Sequence, residues 1–407
     1  MRILHISHNH HIVGGSDRVF FETTRLLERA GHQVVPFCMA NARNLPSQYS
    51  AYFPKGADST APKVLDSAQY FYNADAKVKL KKLLDDEGPF DLAHLHIYHG
   101  KQTPAILPVL RDHGIPVVQS LHEYKLACPV YTLQRNGANC QLCVSGSKLN
   151  SVLHRCKDRS FLKSAVTAAE MATSRILGDV RLVDRFICVS DFQRQIMQRA
   201  GIAPEKLTTL HNFVDQGETP NAFDPNGYLL YFGRIEELKG LKALVRAVVQ
   251  TGQTLAIAGD GGWVPDLKAL IAGQSNIRFV GFQSGDELNT LINGAGAVVV
   301  PSEWYENCPM SLLEAKSRGK PIIGARIGGI PELIRDGVDG VLFSPGDEQD
   351  LRRALMRFQR GNKTQMSNAA FMDARARFSG DAHLTQLLAV YAAAMRASDG
   401  ALTPQTA

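Results

Sequence analysis

Several features are missing from this 407-residue chain, and each absence narrows what it can be. No apolar run is long enough to cross a bilayer as a helix. No charged-then-apolar leader opens the chain, because the strand-like Arg2–His8 begins at once, so a cytoplasmic protein is expected. The Asp-x-Asp pattern, a compact two-carboxylate grip for a divalent ion, occurs nowhere. A complete Gly-x-Gly-x-x-Gly fingerprint is also missing, which argues against a nicotinamide dehydrogenase. There are no short repeats and no low-complexity segment beyond a polar tail after Ser398. Charge excess is small: a net +6 suits an anionic ligand or an anionic lipid surface, and does not by itself point to nucleic acid. The cysteines number seven, an odd count with four of them clustered, which does not read as a secreted disulfide framework.

What remains is an ordinary globular composition, 44% hydrophobic and 21% charged, in a chain longer than one hydrophobic core usually supports. Two domains are therefore expected. Arg2–His8 reads as a buried strand, followed by a Gly14-Gly15 loop and a helix over Asp17–Ala30 that Gly31 closes. Gln33–Cys38, Asp91–Ile97, Pro116–Leu121 and Arg185–Val189 read as further strands with helix-length spacers. His211–Asn226 breaks the rhythm with Asn, Asp, Gly and two prolines, and reads as a linker. The pattern then restarts with strands at Tyr228–Phe232, Thr254–Ala258, Ile277–Val280, Ala297–Pro301, Pro321–Gly324 and Gly340–Phe343, and a helix at Gly240–Gln250. Strand alternating with helix predicts an α/β fold of two Rossmann-like, doubly wound domains facing across a cleft. The expected division is 1–215, 216–378, and a terminal helix and tail over 379–407 that packs back on the first domain.

The most informative stretch is Pro301–Arg326, which sets Glu306 and Glu314 on either side of a helix start. Asn307 is the expected N-cap, with Pro309 in the first turn, and Arg318-Gly319-Lys320-Pro321 carries the stop signals. Glu306 then lies on the loop feeding the helix and Glu314 on the helix. Between them sit the first-turn amides, those of Met310 and Ser311 among them. Backbone donors at a helix start suit an anion such as a diphosphate, and flanking carboxylates suit hydroxyl-bearing groups. A sugar joined to a nucleoside through a diphosphate has that pattern of polarity.

Gly233-Arg-Ile-Glu-Glu-Leu-Lys-Gly240 follows a strand and precedes a helix, so it occupies the ligand edge of a parallel sheet. Arg234 and Lys239 would place two cations over one diphosphate, in place of a metal ion; read blandly they are solvated loop cations. Gly15, in Gly14-Gly15-Ser16-Asp17, allows close approach to a phosphate, or simply makes a turn. His122 ends another strand and suits a sugar hydroxyl or developing charge. Phe282, in Gly281-Phe282-Gln283, marks a loop that suits a base through its backbone groups. In Gly328-Gly-Ile-Pro-Glu332 the glutamate reads equally as a cap or a ligand. His8, His10 and His11 lack an acidic partner nearby for a metal site, and His94, His96 and His99 read as structural, with lining the cleft as the other reading of His96.

Cys128, Cys140, Cys143 and Cys156 lie within thirty residues, with one Cys-x-x-Cys. A structural zinc site is one reading and buried or free thiols the other; neither makes them catalytic. Two basic stretches, Lys77–Lys82 and Arg155–Lys163, read as solvated faces or as contacts with an anionic leaflet.

Taken together these residues resemble the retaining glycosyltransferases of family 4, with the GT-B fold and the Glu-x7-Glu signature. The resemblance covers most of the chain: Gly14-Gly15, His122-Glu-Tyr with Cys128-Pro129, Val183-Asp-Arg-Phe with Val189-Ser190, and His211-Asn-Phe-Val-Asp215 in the first part. It continues through Gly233-Arg234 to Lys239-Gly240, Gly259-Asp-Gly261, the glutamate pair and Gly328-Gly-Ile-Pro-Glu332. It implies that Arg234 and Lys239 grip the donor diphosphate, Glu314 holds the ribose and Glu306 the transferred sugar. It also implies that His122 contacts that sugar near the reacting carbon and that Gly15 closes on the phosphate. Two departures stand out: Asn307-Cys308-Pro309 replaces the usual Gly-Phe-Gly, and Glu123 replaces an aspartate after the histidine. The expected activity is metal-independent transfer of a sugar from a UDP- or GDP-linked donor to a glycan or lipid-linked acceptor, with peripheral contact to an anionic membrane. No cofactor is expected for catalysis beyond the nucleotide-sugar co-substrate, and no nucleic-acid partner. The competing readings are a nucleotide-sugar epimerase or hydrolase of the same fold, which would form product without an acceptor, and a non-catalytic glycan-assembly scaffold.

Overall fold

The structure, a computed structural model, describes residues 1–56, 68–215 and 223–402, so residues 216–222 of the expected linker and the end of the polar tail lie outside it. The chain forms two compact units, Met1–His211 with Leu384–Ala407, and Asn212–His383. Residues 212–214 fall in the second unit for a local reason. The Val214 amide donates to the Phe378 carbonyl at 3.0 Å, and the Phe213 ring lies 4.3 Å from that of His383.

In the first unit, β1 (Arg2–Ile6), β2 (Gln33–Phe37), β3 (Leu92–Leu95), β4 (Val117–Leu121), β7 (Arg185–Cys188) and β8 (Leu207–Thr209) form a parallel sheet in the order β2-β1-β3-β4-β7-β8. Its strands are nearly continuous apolar runs, as a sheet covered on both faces requires. Ile3, Leu4, Ile6, Leu92 and Val118 are wholly buried. Polar residues interrupt the runs in the central strands, where His5 pairs in register with His94 and is itself fully buried. A small antiparallel hairpin, β5 (Gln134–Arg135) with β6 (Ala138–Asn139), stands apart from the sheet.

The long terminal helix, Gly380–Leu402, returns to this unit. Leu387, Val390, Tyr391 and Ala394 on one of its faces join Ile3, Leu27, Val34, Leu92, Val118, Ile187 and Leu210 in a single core. The Tyr391 hydroxyl lies 2.7 Å from His94 Nδ1 within that core, so the helix is anchored by a polar contact as well as by apolar packing.

The second unit repeats the architecture with β9 (Tyr228–Phe232), β10 (Leu255–Ala258), β11 (Ile277–Gly281), β12 (Ala295–Val300), β13 (Ile322–Ala325) and β14 (Gly340–Phe343), ordered β11-β10-β9-β12-β13-β14. All of its pairings are parallel. In this order the direction of winding reverses between β9 and β12, and ligands of doubly wound sheets bind outside the carboxyl ends of strands at such a switch point. The loops leaving β9 and β12 are Gly233–Gly240 and Pro301–Pro309. By the same rule the first sheet has its switch point between β1 and β3.

The helix after β12, Met310–Ser317, is held from below by a buried charge cluster. Lys316, fully buried, meets Asp373 at 2.6 Å, Asp339 at 3.2 Å and the Leu333 carbonyl at 2.8 Å. A lysine near a helix end usually serves the dipole, but this one neutralises two carboxylates inside the domain.

Candidate active site

The helix that carries Glu314 starts later than the residue types suggest. Pro309 itself is the N-cap, at φ −66° and ψ 118°, and Asn307 is not. The residue before a proline is disfavoured in the helical region, so Cys308 cannot readily open the helix, and the first helical residue is Met310. The first intrahelical bond runs from the Leu312 amide to the Pro309 carbonyl at 3.1 Å, which leaves the Met310 and Ser311 amides ahead of it in the first turn. Glu314 is 6% exposed on this helix.

The loops at the switch point converge on one ion pair. Lys239 Nζ lies 2.6 Å from Glu306 Oε1, which also accepts from Ser302 Oγ at 2.7 Å. The same ammonium sits 4.4 Å from the centre of the Trp304 ring. Burial by itself would raise the Glu306 carboxyl, but the Lys239 charge and the hydrogen bonds from Lys239 and Ser302 hold it below the ordinary glutamate value. Glu306 is thus an anion at neutral pH.

Two glycines make this geometry sterically accessible. Gly240, at φ +73°, ends the Lys239 loop where a Cβ would stand 1.8 Å from the Pro301 carbonyl oxygen. Gly328, at φ +58°, lies where a Cβ would stand 2.3 Å from the Glu306 carbonyl oxygen, and the next amide, Gly329, donates to that oxygen at 2.8 Å. The Gly328-Gly329 pair therefore clamps the Glu306 backbone. A further amide, that of Glu303, donates to Leu238 O at 2.9 Å and ties the two loops together.

Arg234 is not part of the pair. Its guanidinium side chain is 74% exposed and is bound to Glu236, while its carbonyl accepts from the buried Tyr231 hydroxyl at 2.6 Å. The backbone is fixed and the cation extends into solvent. Phe282, just past β11, is 72% exposed.

In the first unit Gly15 is the first residue of the helix Gly15–Arg29. Buried Asp17 organises the approach to it, accepting from the amides of Val13 and Gly14 at 3.0 Å each. His122, one residue past β4, meets His96 through a 2.7 Å contact between its Nε2 and His96 Nδ1. His96 Nε2 in turn lies 2.7 Å from His5 Nε2, and His5 Nδ1 lies 2.9 Å from Thr24 Oγ1. Burial pushes His122 down to about 4, and burial together with the nearby His122 pushes His5 down to about 3. Among the described residues, His5, His94 and His96 are the one group of three ligand-type atoms within 4.8 Å of each other. Every ring nitrogen of the three is already in a hydrogen bond, His94 to Tyr391 and Ser120, so the group reads as a hydrogen-bonded array rather than a metal centre. His8, His10 and His11 face separate partners, the His99 carbonyl, the Leu45 carbonyl and Asn44.

Cys128 and Cys143 are buried, Cys140 and Cys156 partly so, and all four are free. Their sulfurs do not form a three-atom group within 4.8 Å, a wider spread than the ~3.8 Å between sulfurs of a tetrahedral site with ~2.3 Å zinc–sulfur bonds. Of the two basic stretches, Lys81 and Lys82 pair with Asp85 and Asp86 at 2.6 and 2.5 Å. The second stretch lies beside strongly exposed Leu153, Phe161 and Leu162.

Sequence reasoning missed Ser302, Trp304, the glycine clamp and the pairing of His96 with His122. None has a local signal: each acquires its role only when separate loops or strands meet.

Doubly wound sheets with an anion-suited helix start and a lysine–carboxylate pair at the switch point place the protein among α/β folds that bind ligands at the carboxyl ends of their strands. Comparison with known proteins makes the assignment specific. Residues 13–218, half of the chain, match the model described as Glycosyltransferase Family 4, and residues 216–371 match Glycosyl transferases group 1. The chain belongs to glycosyltransferase family 4 and has the GT-B fold. Sulfoquinovosyl transferase SQD2 of Arabidopsis thaliana is 28% identical over 251 residues, covering 60% of this chain and 45% of that protein. D-inositol 3-phosphate glycosyltransferase 1 of Catenulispora acidiphila is 27% identical over 431 residues, covering 95% and 92%. The chain spans about half the length of the first curated relatives it matches, 45% of each. Among solved structures, Anabaena Alr3699/HepE in complex with UDP shares the fold with a TM-score of 0.65 at 17% identity, covering 96% of this chain and all of that one.

The ion pair has a direct consequence for titration. Because the folded value of Glu306 is depressed, its contribution to stability is complete above the ordinary glutamate value of 4.5 and is lost as pH falls through the lower folded value. Lys239→Met removes the attractive charge and leaves the burial, so Glu306 should then titrate above the ordinary value. Carboxyl-carbon NMR of the two proteins measures this; an unchanged Glu306 titration would contradict the pairing.

Proposed function

We propose that this protein is a retaining, metal-independent glycosyltransferase that moves a sugar from a nucleotide diphosphate donor, UDP- or GDP-linked, to a glycan or lipid-linked saccharide. The observation that carries the reading is the Lys239–Glu306 pair at the switch point of the second sheet, beside the helix start that bears Glu314. A fixed ammonium there meets the diphosphate, and first-turn amides at Met310 and Ser311 supply neutral donors to it. Arg234, on an anchored backbone with an exposed side chain bound to Glu236, adds a second cation. Glu314 takes the ribose hydroxyls and Glu306 those of the transferred sugar, while the exposed Phe282 loop serves the base. We assign His122 and Gly15 to the sugar and the phosphate on the family resemblance.

Charge development decides the chemistry. As the glycosidic bond to phosphate breaks, negative charge grows on the leaving diphosphate and positive charge on the sugar ring. Lys239 stabilises the first, and the Glu306 carboxylate the second, without solvent reorganisation. The acceptor proton passes to the departing phosphate oxygen on the same face of the sugar, which gives retention without a covalent enzyme intermediate.

A thermal-shift panel of nucleotide diphosphates and their sugars in chelator tests the donor half. Ligand at about 100 times its dissociation constant stabilises by ~2.7 kcal/mol, so UDP or GDP should raise the melting temperature without metal, and Lys239→Ala should abolish the rise. No response to any nucleotide diphosphate would contradict the assignment.

A lipid-linked acceptor would bring the protein to the cytoplasmic face of a membrane. The exposed Leu153, Phe161 and Leu162 beside Arg155, Arg159 and Lys163 support such contact, since apolar insertion and basic charge act together at an anionic surface. Co-sedimentation with anionic vesicles should exceed that with neutral vesicles and fall in a Phe161→Glu, Leu162→Glu variant; equal binding to both vesicle types would remove this part of the proposal.

A further inference from the structure

Left-handed backbone at residues other than glycine is concentrated around one cavity of the first unit. Among the described residues seven such positions have φ between 49° and 60°. Five of them, Tyr131, Asn136, Arg155, Asp158 and Arg159, line a single cavity of about 270 Å³. Asn136 is expected there, because Asn136-Gly137 turns the β5–β6 hairpin and Asn-Gly is the favoured pair when both central residues are left-handed. Arginine is not favoured in that region. Arg155 follows the C-cap of the short helix Asn150–Leu153; its amide donates to the Val152 carbonyl at 3.0 Å and that of Cys156 to the Ser151 carbonyl at 2.9 Å, a closure usually made with glycine. Asp158 and Arg159, at φ 52° and 55°, are the central pair of a turn closed by the Ser160 amide on the Lys157 carbonyl at 2.9 Å. Asn-Gly would again be less strained. Strain of this kind gathers at ligand clamps.

The chemistry of the lining points to an anion. Arg155 and Arg159 are exposed, and neither has an ion pair or a side-chain hydrogen bond among the described residues. Lys157, over the Tyr131 ring at 5.4 Å, adds a third cation. Asp158, the carboxylate among the lining residues, is held by Lys163 at 3.0 Å. Gln134 also lines the cavity, and its amide nitrogen is buried without an acceptor. The walls are fixed. The Lys157 amide donates to Ser164 Oγ at 2.9 Å, and Ser160 caps the next helix by accepting from the Lys163 amide at 3.3 Å. The Tyr124 amide, two residues past His122, donates to the Tyr131 carbonyl at 3.1 Å and joins the cavity to the His122 loop.

We propose that this cavity is an anion subsite in which Arg155 and Arg159 bind a phosphoryl group of the acceptor. Guanidinium forks match phosphoryl oxygens, and Lys157 and the Gln134 amide complete the donor set. The proposal rests on the glycosyltransferase reading and narrows it: the acceptor is a phosphorylated saccharide, its phosphoryl group carried by a soluble ester or by a lipid diphosphate. The basic stretch then holds one group in a formed pocket, beyond any diffuse attraction to a charged surface.

Calorimetric titration of inorganic pyrophosphate into the full chain tests the subsite, in the wild type and in Lys239→Ala, where the donor side no longer contributes. Arg155→Gly with Arg159→Gly removes both guanidiniums and supplies the residue that each backbone position favours. In either background the glycine pair should bind pyrophosphate about tenfold or more weakly, the scale of a lost charged hydrogen bond. It should also melt at a higher temperature, because the strain is gone. Undiminished affinity would overturn the subsite; a lower melting temperature would make the two arginines structural and overturn it as well. Displacement of pyrophosphate by glucose 6-phosphate would identify a soluble ester as the source of the group. Binding to phosphatidylcholine vesicles that carry a long-chain isoprenyl diphosphate, lost in the glycine pair, would identify a lipid. Failure of both would overturn the assignment to an acceptor. UDP binding is measured separately: a protein that binds UDP but not pyrophosphate at Arg155 and Arg159 loses only this subsite, and the reverse result removes only the donor assignment.

Discussion

The largely buried contact between Lys239 and Glu306 is the constraint around which the second unit is arranged. Burying a charge is unfavourable unless it is paired, and here each member pays for the other's desolvation. The pairing demands that two loops from neighbouring strands approach at backbone distance. Gly240 permits one approach and Gly328 another, the Glu303 and Gly329 amides fix them, and Ser302 orients the carboxylate. In the proposed function, this fixed cation beside a helix start offers a nucleotide diphosphate what a divalent ion would otherwise supply. Beneath it, Lys316 between Asp339 and Asp373 ties the helix of Glu314 to the rest of the domain.

The first unit organises its polar groups differently. Where the second unit carries its charges on loops, the first threads imidazoles through the sheet, with His5 and His94 inside strands and His96 and His122 just past their ends. Strand-borne groups are held by the ladder and by packing on both faces, which restricts rotation of each ring. The terminal helix adds to this, since Tyr391 contacts His94 within the same core.

Much of this was legible in the residues. Apolar runs such as Tyr228–Phe232 and Gly340–Phe343 predicted strands that the structure reproduces to the residue, because buried parallel strands have no alternating pattern to confuse. The end of the helix that carries Glu314 was readable too, from the stop signals Arg318-Gly319-Lys320-Pro321. Short elements were not: β8 has three residues, and each strand of the β5–β6 hairpin has two, too few for any periodicity. The helix start was misplaced because Asn307 has a favourable N-cap side chain, yet the Cys308–Pro309 step keeps the chain extended past it. The partner of Lys239 was invisible for a different reason: 67 residues separate it from Glu306, and only the strand order brings them together. His96 read as structural or as lining the cleft, and the register of β1, β3 and β4 makes it the neighbour of His122.

The central claim is that a protein ammonium, not a bound metal, meets the donor diphosphate. Calorimetric titration of a nucleotide diphosphate in the presence of chelator, into wild type and into Lys239→Met, addresses it most directly. The account predicts saturable binding by the wild type and an affinity about 10- to 100-fold weaker in the variant, the scale of one charged hydrogen bond. Binding that disappears with chelator in the wild type, or that is equal in the two proteins, would contradict it.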